Sequence, residues 1–197
     1  MKKLLGILVL GLLLITPSQA DDIRDFQIEG MSIGDSLLDY FSGEEIQKKK
    51  IKFTFKNFFT SEFTKKKDNL KIYDALHIHY KNNDKDFIIQ QVEGIIDFVN
   101  KNNVAESYGN PIYENDCLIK QREISSYVFS TVIDNPDIMK FSNKKNKKQD
   151  KTGKSYGVYT TIMSNEGDLI LVECNVWSKK MKFINHVRVR IVSKNYK

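Results

Sequence analysis

The first twenty residues, MKKLLGILVLGLLLITPSQA, constrain this chain more than any other stretch, because they decide in which compartment and redox state the remainder folds. Lys2 and Lys3 make a positive start, Leu4 to Ile15 is an apolar run of twelve residues, and Pro17, Ser18 and Ala20 supply the helix break and small residues that a signal peptidase needs. Twelve residues fall well short of the roughly 20 that span a bilayer, so the pattern predicts a cleaved secretory signal over residues 1–20. Residue 21 is Asp and not Cys, so no lipid is expected at the cut. The expectation is an exported periplasmic or secreted domain over residues 21–197, with no stable membrane anchor.

That remainder has the length of one domain and can bury about two thirds of its unfolded surface. The whole chain carries a formal charge of +6, of which Lys2 and Lys3 supply two. Lys outnumbers Arg by 27 to 4 beside 16 Asn and 22 Ile, the residues that A+T-rich codons specify, so codon bias accounts for much of the lysine. Phosphate readers lean on the planar fork of Arg, and a nucleic-acid partner is set aside on that ground.

Cys117 and Cys174 are the only cysteines. An even count in an oxidising compartment suggests a bridge, and two thiols alone cannot fill a zinc site. Cys117 begins a helical pattern with Leu118, Gln121, Ile124, Val128, Phe129 and Val132, which sets it on or beside the apolar stripe. Cys174 falls in the alternating row Ile170, Val172, Cys174, Val176, one face of a strand. A helix packed on that row brings the sulfurs within reach. Two separately buried thiols are the alternative; a catalytic thiol has no support from the sequence around either residue.

The remaining patterns predict secondary structure in sequence order. Ser32 with Asp35, and Ser42 with Glu45, read as helix starts, the first helix presenting Ile33, Leu37, Leu38, Tyr40 and Phe41. Alternation of Ile51, Phe53 and Phe55 with Lys52, Thr54 and Lys56 predicts a strand, followed by a less regular stretch with Phe58, Phe59 and Phe63. Residues 72–80 and 87–92, separated by Asn82, Asn83 and Asp84, predict a hairpin. A long helix over 115–133, capped by Asn115, follows a loop ending at Gly109, Asn110 and Pro111. A basic, mobile loop is expected at 142–154, then strands over 156–163, 169–177 and 183–193. The fold class is α+β: a mainly antiparallel sheet of about five strands with helices packed on one face.

His77 and His79 are two apart on a predicted strand and share a face, a spacing compatible with a metal; His186 occupies the polar face of the last strand with Arg188 and Arg190. Three imidazoles converge only if that strand lies beside the hairpin; ordinary solvent-face histidines are the plainer expectation, and no cofactor is expected. Thr152-Gly153-Lys154-Ser155 imitates the end of a phosphate loop, but residue 148 is Lys where that motif needs its first Gly. Lys144, Lys145, Lys147, Lys148, Lys151 and Lys154 are therefore read as a solvated run, with an anionic surface as their candidate contact. Asn82 to Asp86 lacks the glycine and distal glutamate of a calcium loop.

The stretch from Ile28 to Ser42 (IEGMSIGDSLLDYFS), with Tyr73-Asp74-Ala75-Leu76, Asp116-Cys117-Leu118, Lys151 to Ser155 and Glu173 to Ser178 (ECNVWS), resembles small secreted proteins of marine alphaproteobacteria of the Pelagibacter type. The resemblance covers nearly all of residues 21–197 and implies that both cysteine settings are features of that group, which supports a bridge. It implies no activity. Gly30 to Leu37 also resembles the helix entry of small envelope lipoproteins that assist outer-membrane assembly, without their lipid-bearing Cys. Two function classes follow. One is a non-catalytic module binding an envelope protein, peptide or surface polymer through a sheet edge or the basic loop. The alternative is a small periplasmic hydrolase or metal-dependent enzyme using His77 and His79.

Overall fold

The computed structural model of the chain describes residues 22–51, 57–132 and 137–196. The predicted signal segment, most of the predicted strand after Ile51, and Ile133 lie outside those residues.

The chain enters through tight turns that bury Ile23, Ile28, Met31, Ile33 and Leu37. The helix expected after Ser32 does not form. Asp35 Oδ2 accepts the Ser32 N–H at 2.8 Å, as the capping pattern requires, but Gly30 and Gly34 take φ of +86° and +93°, which turns the chain away from a helical path. Only one 3-10 turn, Leu37–Asp39, follows. The second helix forms as expected: α1 (Gly43–Lys48) has Ser42 and Glu45 satisfying each other's backbone N–H groups. Next come β1 (Lys50–Ile51), β2 (Phe58–Thr64) and the single turn α2 (Lys65–Asp68). The hairpin is β3 (Ala75–Lys81) with β4 (Ile89–Phe98), and the long helix is α3 (Pro111–Val132). It begins a turn earlier than expected, because Asn110 Oδ1, not Asn115, accepts the Ile112 N–H at 3.0 Å, while Pro111 fits the first helical position, where no N–H is needed. The chain ends with β5 (Ile138–Asn146), β6 (Tyr156–Ser164), β7 (Leu169–Val176) and β8 (Asn185–Val192).

The eight strands form one sheet in the order β1-β2-β3-β4-β8-β7-β6-β5, with every neighbouring pair antiparallel. Two meanders meet at β4 and β8, from Gln91↔Val192 to Phe98↔Asn185. Between them α3 crosses one face and carries the chain from the middle of the sheet to its far edge, contacting β4, β6, β7 and β8. The α+β class is as expected; the sheet is larger, because β2 and β5 are strands where none was expected. In β2 the adjacent Phe58 and Phe59 hide an alternation that sets Phe59 and Phe63 beside the buried Ser61 on one face. In β5 nearly every residue is exposed, so no apolar row marks it.

The core lies on one face of the sheet, beneath α3 and the N-terminal turns and α1 that carry Ile23, Ile28, Met31, Leu37 and Ile46. Val172 and Ile170 of β7, Val187, Val189 and Ile191 of β8, and Leu76 and Ile78 of β3 are buried on this face, and Val128 and Val132 of α3 are buried against it. Cys117 of α3 and Cys174 of β7 are joined by a disulfide, with Cα atoms 5.7 Å apart. One turn on, Gln121 fills a polar gap: its Nε2 donates to Thr160 Oγ1 at 2.9 Å and to Ser125 Oγ at 3.2 Å. No helix among the described residues is long and apolar enough to cross a membrane.

Candidate functional site

Alternation along each strand sends every second residue to the sheet face opposite α3. Register then aligns Glu62 (β2) with His77 (β3), His77 with Glu93 (β4), and Glu93 with Arg190 (β8). Glu173 of β7 lies opposite Arg188. A row of acid, imidazole, acid and guanidinium thus crosses four neighbouring strands. It forms the floor of a recess of about 500 Å³, whose wall includes Ile51, Thr60, His79, Gln91 and Tyr196.

The contacts are close. His77 Nδ1 is 3.1 Å from Glu93 Oε1, and His77 Nε2 is 3.1 Å from Glu62 Oε2. Arg188 Nε lies 3.3 Å from Glu93 Oε1, and Arg190 Nη2 donates to Glu173 Oε2 at 2.7 Å. Glu173 also accepts from Lys147 Nζ at 2.8 Å. The Glu93 side chain is 5% exposed, and burial by itself raises a carboxyl pKa; the His77 hydrogen bond and the charges of Arg188 and Arg190 overcome that and bring it down to about 2. Burial likewise opposes charge on His77, yet the hydrogen bonds and fields of Glu93 and Glu62 outweigh it and hold the imidazole above its ordinary pKa. His79 is different. Burial lowers it to about 4, so at neutral pH it is uncharged, and its Nδ1 meets Thr60 Oγ1 at 2.9 Å and the Tyr196 hydroxyl at 3.0 Å.

The last strand does lie beside the hairpin, but the three imidazoles do not converge. His186 is opposite Asp97 and Asn175, four residues along β8 from Arg190 and so roughly 13 Å from the His77 row. Burial lowers its pKa to about 4, and its Nδ1 is 3.0 Å from the Ile184 carbonyl. His77 has a carboxylate at each nitrogen, on opposite sides of the ring, so Glu62 and Glu93 cannot share one ion with it. Among the described residues no group of three His, Cys, Asp or Glu is disposed to hold a metal ion.

The basic segment also differs from a loop. Its first part is β5, at the edge of the sheet, and its second part is a turn knit by Asp150, whose carboxylate accepts from the backbone and hydroxyl of both Thr152 and Ser155. Those bonds hold the Asp150 carboxyl well below its usual range and give Thr152 and Ser155 a structural role in the turn. Lys144 lies over the Tyr156 ring at 3.7 Å, and Lys145 is 6.0 Å from the Tyr159 ring. Lys147 is taken up internally by Glu173, Asn175 and the Tyr159 hydroxyl, so it does not belong to an outward anionic contact. Lys148, Lys151 and Lys154 are exposed on the turn.

Sequence reasoning singled out His77, His79 and His186, and set Arg188 and Arg190 on the polar face, but missed Glu62, Gln91, Glu93, Glu173 and Tyr196. The signal was present only as polar residues at alternate positions of four separate strands. A second concavity of about 600 Å³, on the α3 side, is apolar and lined by Phe26, Ile28, Ile72, Tyr73, Ile124 and Tyr127. Comparison with family models, with curated proteins and with solved structures gives no match.

Proposed function

We propose that this chain is an exported, non-catalytic binding module whose recess takes a small zwitterion of di- or tripeptide size. One observation carries this reading: the solvent-facing ends of the charge row have opposite sign. Glu62 is 41% exposed at one end and Arg188 is 31% exposed at the other, while Glu93 between them is consumed by its neighbours and Arg190 is held by Glu173. Glu62 suits an ammonium group. The planar guanidinium fork of Arg188 suits a carboxylate. Three strand spacings separate the ends, about 14 Å between backbones. The long side chains close several ångströms of that gap, leaving a span matched by two or three extended residues at about 3.5 Å each.

A hydrolase built on His77 and His79 draws less support, because both nitrogens of His77 are occupied by carboxylates and His79 is bonded to Thr60 and Tyr196. Export is supported by the disulfide, which is compatible with an oxidising compartment, together with the apolar run at residues 4–15. An intact mass of envelope material beginning at Asp21 is the expected outcome; a retained N-terminus in the membrane fraction refutes the cleavage.

Calorimetric titration at low ionic strength with Ala-Ala, its N-acetyl form and its C-amide tests the ligand class. Both blocked forms should bind at least tenfold more weakly. Glu62→Gln should abolish the preference for the free amine, and Arg188→Gln that for the free carboxylate. Absence of any heat with Ala-Ala or Ala-Ala-Ala at millimolar concentration, or discrimination unchanged in Glu62→Gln, overturns the assignment.

A further inference from the structure

We infer that β5 is a docking edge for an extended acidic segment of another protein, added to the sheet as a ninth strand. The hydrogen-bond register supports this directly. Lys147 N–H donates to the Ser155 carbonyl at 2.9 Å, and Asn165 N–H donates to the Asp137 carbonyl at 2.9 Å. These bonds flank the β5–β6 ladder, in which Ile138 pairs with Ser164 and Asn146 with Tyr156 without a bulge. Bonded and non-bonded pairs alternate in an antiparallel ladder, so the odd-numbered residues of β5 exchange bonds with β6. Ile138, Lys140, Ser142, Lys144 and Asn146 therefore direct their N–H and C=O groups outward, away from the sheet. No proline or bulge blunts this edge, and it is nine residues long.

The side chains say what fits. On the α3 side Lys140 lies over the Phe129 ring at 4.4 Å and Lys144 over the Tyr156 ring at 3.7 Å, so both ammonium groups are held beside the edge. On the other side Met139 and Phe141 are 41% and 50% exposed, with Lys145 beyond Asn143 on the same face. An incoming strand thus meets cations opposite residues 140, 144 and 145 and an apolar pair opposite 139 and 141. A second copy of this chain is the wrong occupant. In the fully overlapping two-fold register Lys140 faces Lys144 of the copy twice, and like charges directly opposite repel. Lysines that deny the edge to its own copy are the same groups that favour an acidic strand.

The probe is the blocked peptide Glu-Glu-Thr-Thr-Val-Glu-Val carrying a fluorophore, with binding read by anisotropy and by amide shifts. The expected result is binding that perturbs residues 138–146, falls at least tenfold when Glu is replaced by Lys, and is lost when alternate peptide nitrogens are methylated. Ser142→Pro deletes an outward N–H without touching the β6 ladder and should weaken binding at least tenfold. The pair Lys140→Gln and Lys144→Gln should do the same while unfolding stays cooperative with Tm lowered by only a few degrees, which separates loss of docking from loss of fold. Equal binding by the methylated peptide, displacement by anionic phospholipid vesicles at matched charge, or sedimentation of the free chain as a dimer each overturn the proposal. Zwitterion binding in the recess is independent of all these results.

Discussion

Replacing Glu93 by Gln keeps the shape of the side chain and removes its charge from between His77, Arg188 and Arg190. The carboxyl pKa of about 2 lies roughly 2.5 units below an ordinary glutamate, and each unit corresponds to about 1.4 kcal/mol, so the folded state favours the ionised form by about 3 kcal/mol. The substitution also takes from Arg188 its carboxylate partner and leaves Arg190 with Glu173 alone, and breaking buried ion pairs from one side costs about 3–5 kcal/mol. For a domain whose net stability is about 5–15 kcal/mol, that is a large fraction. The sign follows from the direction of the shift. A depressed folded pKa contributes stability that is fully present above the unfolded value of about 4.5 and is lost as pH falls towards about 2. Urea unfolding of both proteins at pH 7 should therefore differ by about 3–5 kcal/mol, and the difference should shrink to less than half at pH 2.5. A difference below about 1 kcal/mol at pH 7, or one that does not change between pH 7 and pH 2.5, refutes the electrostatic account of this row.

Cys117→Ser should lower stability by about 2–5 kcal/mol in urea unfolding without reductant, since the bridge joins residues 57 apart in sequence and closing such a loop is worth about 4 kcal/mol; thiol titration of the denatured, unreduced chain should find no free thiol. Gly94→Ala should cost about 1–3 kcal/mol in Tm-monitored unfolding, because the added methyl would stand 2.4 Å from the Tyr73 ring. His77 contributes stability that is fully present below its ordinary pKa of about 6.5 and is lost as pH rises through its raised folded value, so stability should fall from pH 6 to pH 9 and His77→Asn should flatten that slope; proton NMR of the imidazole checks the direction of the shift.

Local chemistry determined much of this protein. Ser42 and Glu45 mark α1, the spacing from Cys117 to Val132 gives α3 its buried stripe, and strict alternation in Ile170, Val172 and Cys174 and in Val187, Val189 and Ile191 identifies two strands together with the faces they bury. The same two periodicities brought Cys117 and Cys174 to facing surfaces, which is why their pairing could be anticipated. Patterns of this kind follow from the geometry of a single element, and burial imprints them on its own residues. Tertiary structure decided the rest. β5 buries almost nothing, so lysines and asparagines at an edge carry no mark that separates a strand from a loop. Asn110 and Pro111 read equally as the end of a loop or the start of a helix, and only the body of α3 against the sheet selects the second. The recess was the least legible feature, because Glu62, His77, Glu93 and Arg190 come from four strands spread over 129 residues of sequence. Each is an ordinary outward polar residue on its own strand. What makes them a site is the register of β4 on β8, and that register is set by the opposite face, where the apolar rows of these two strands must meet α3 together.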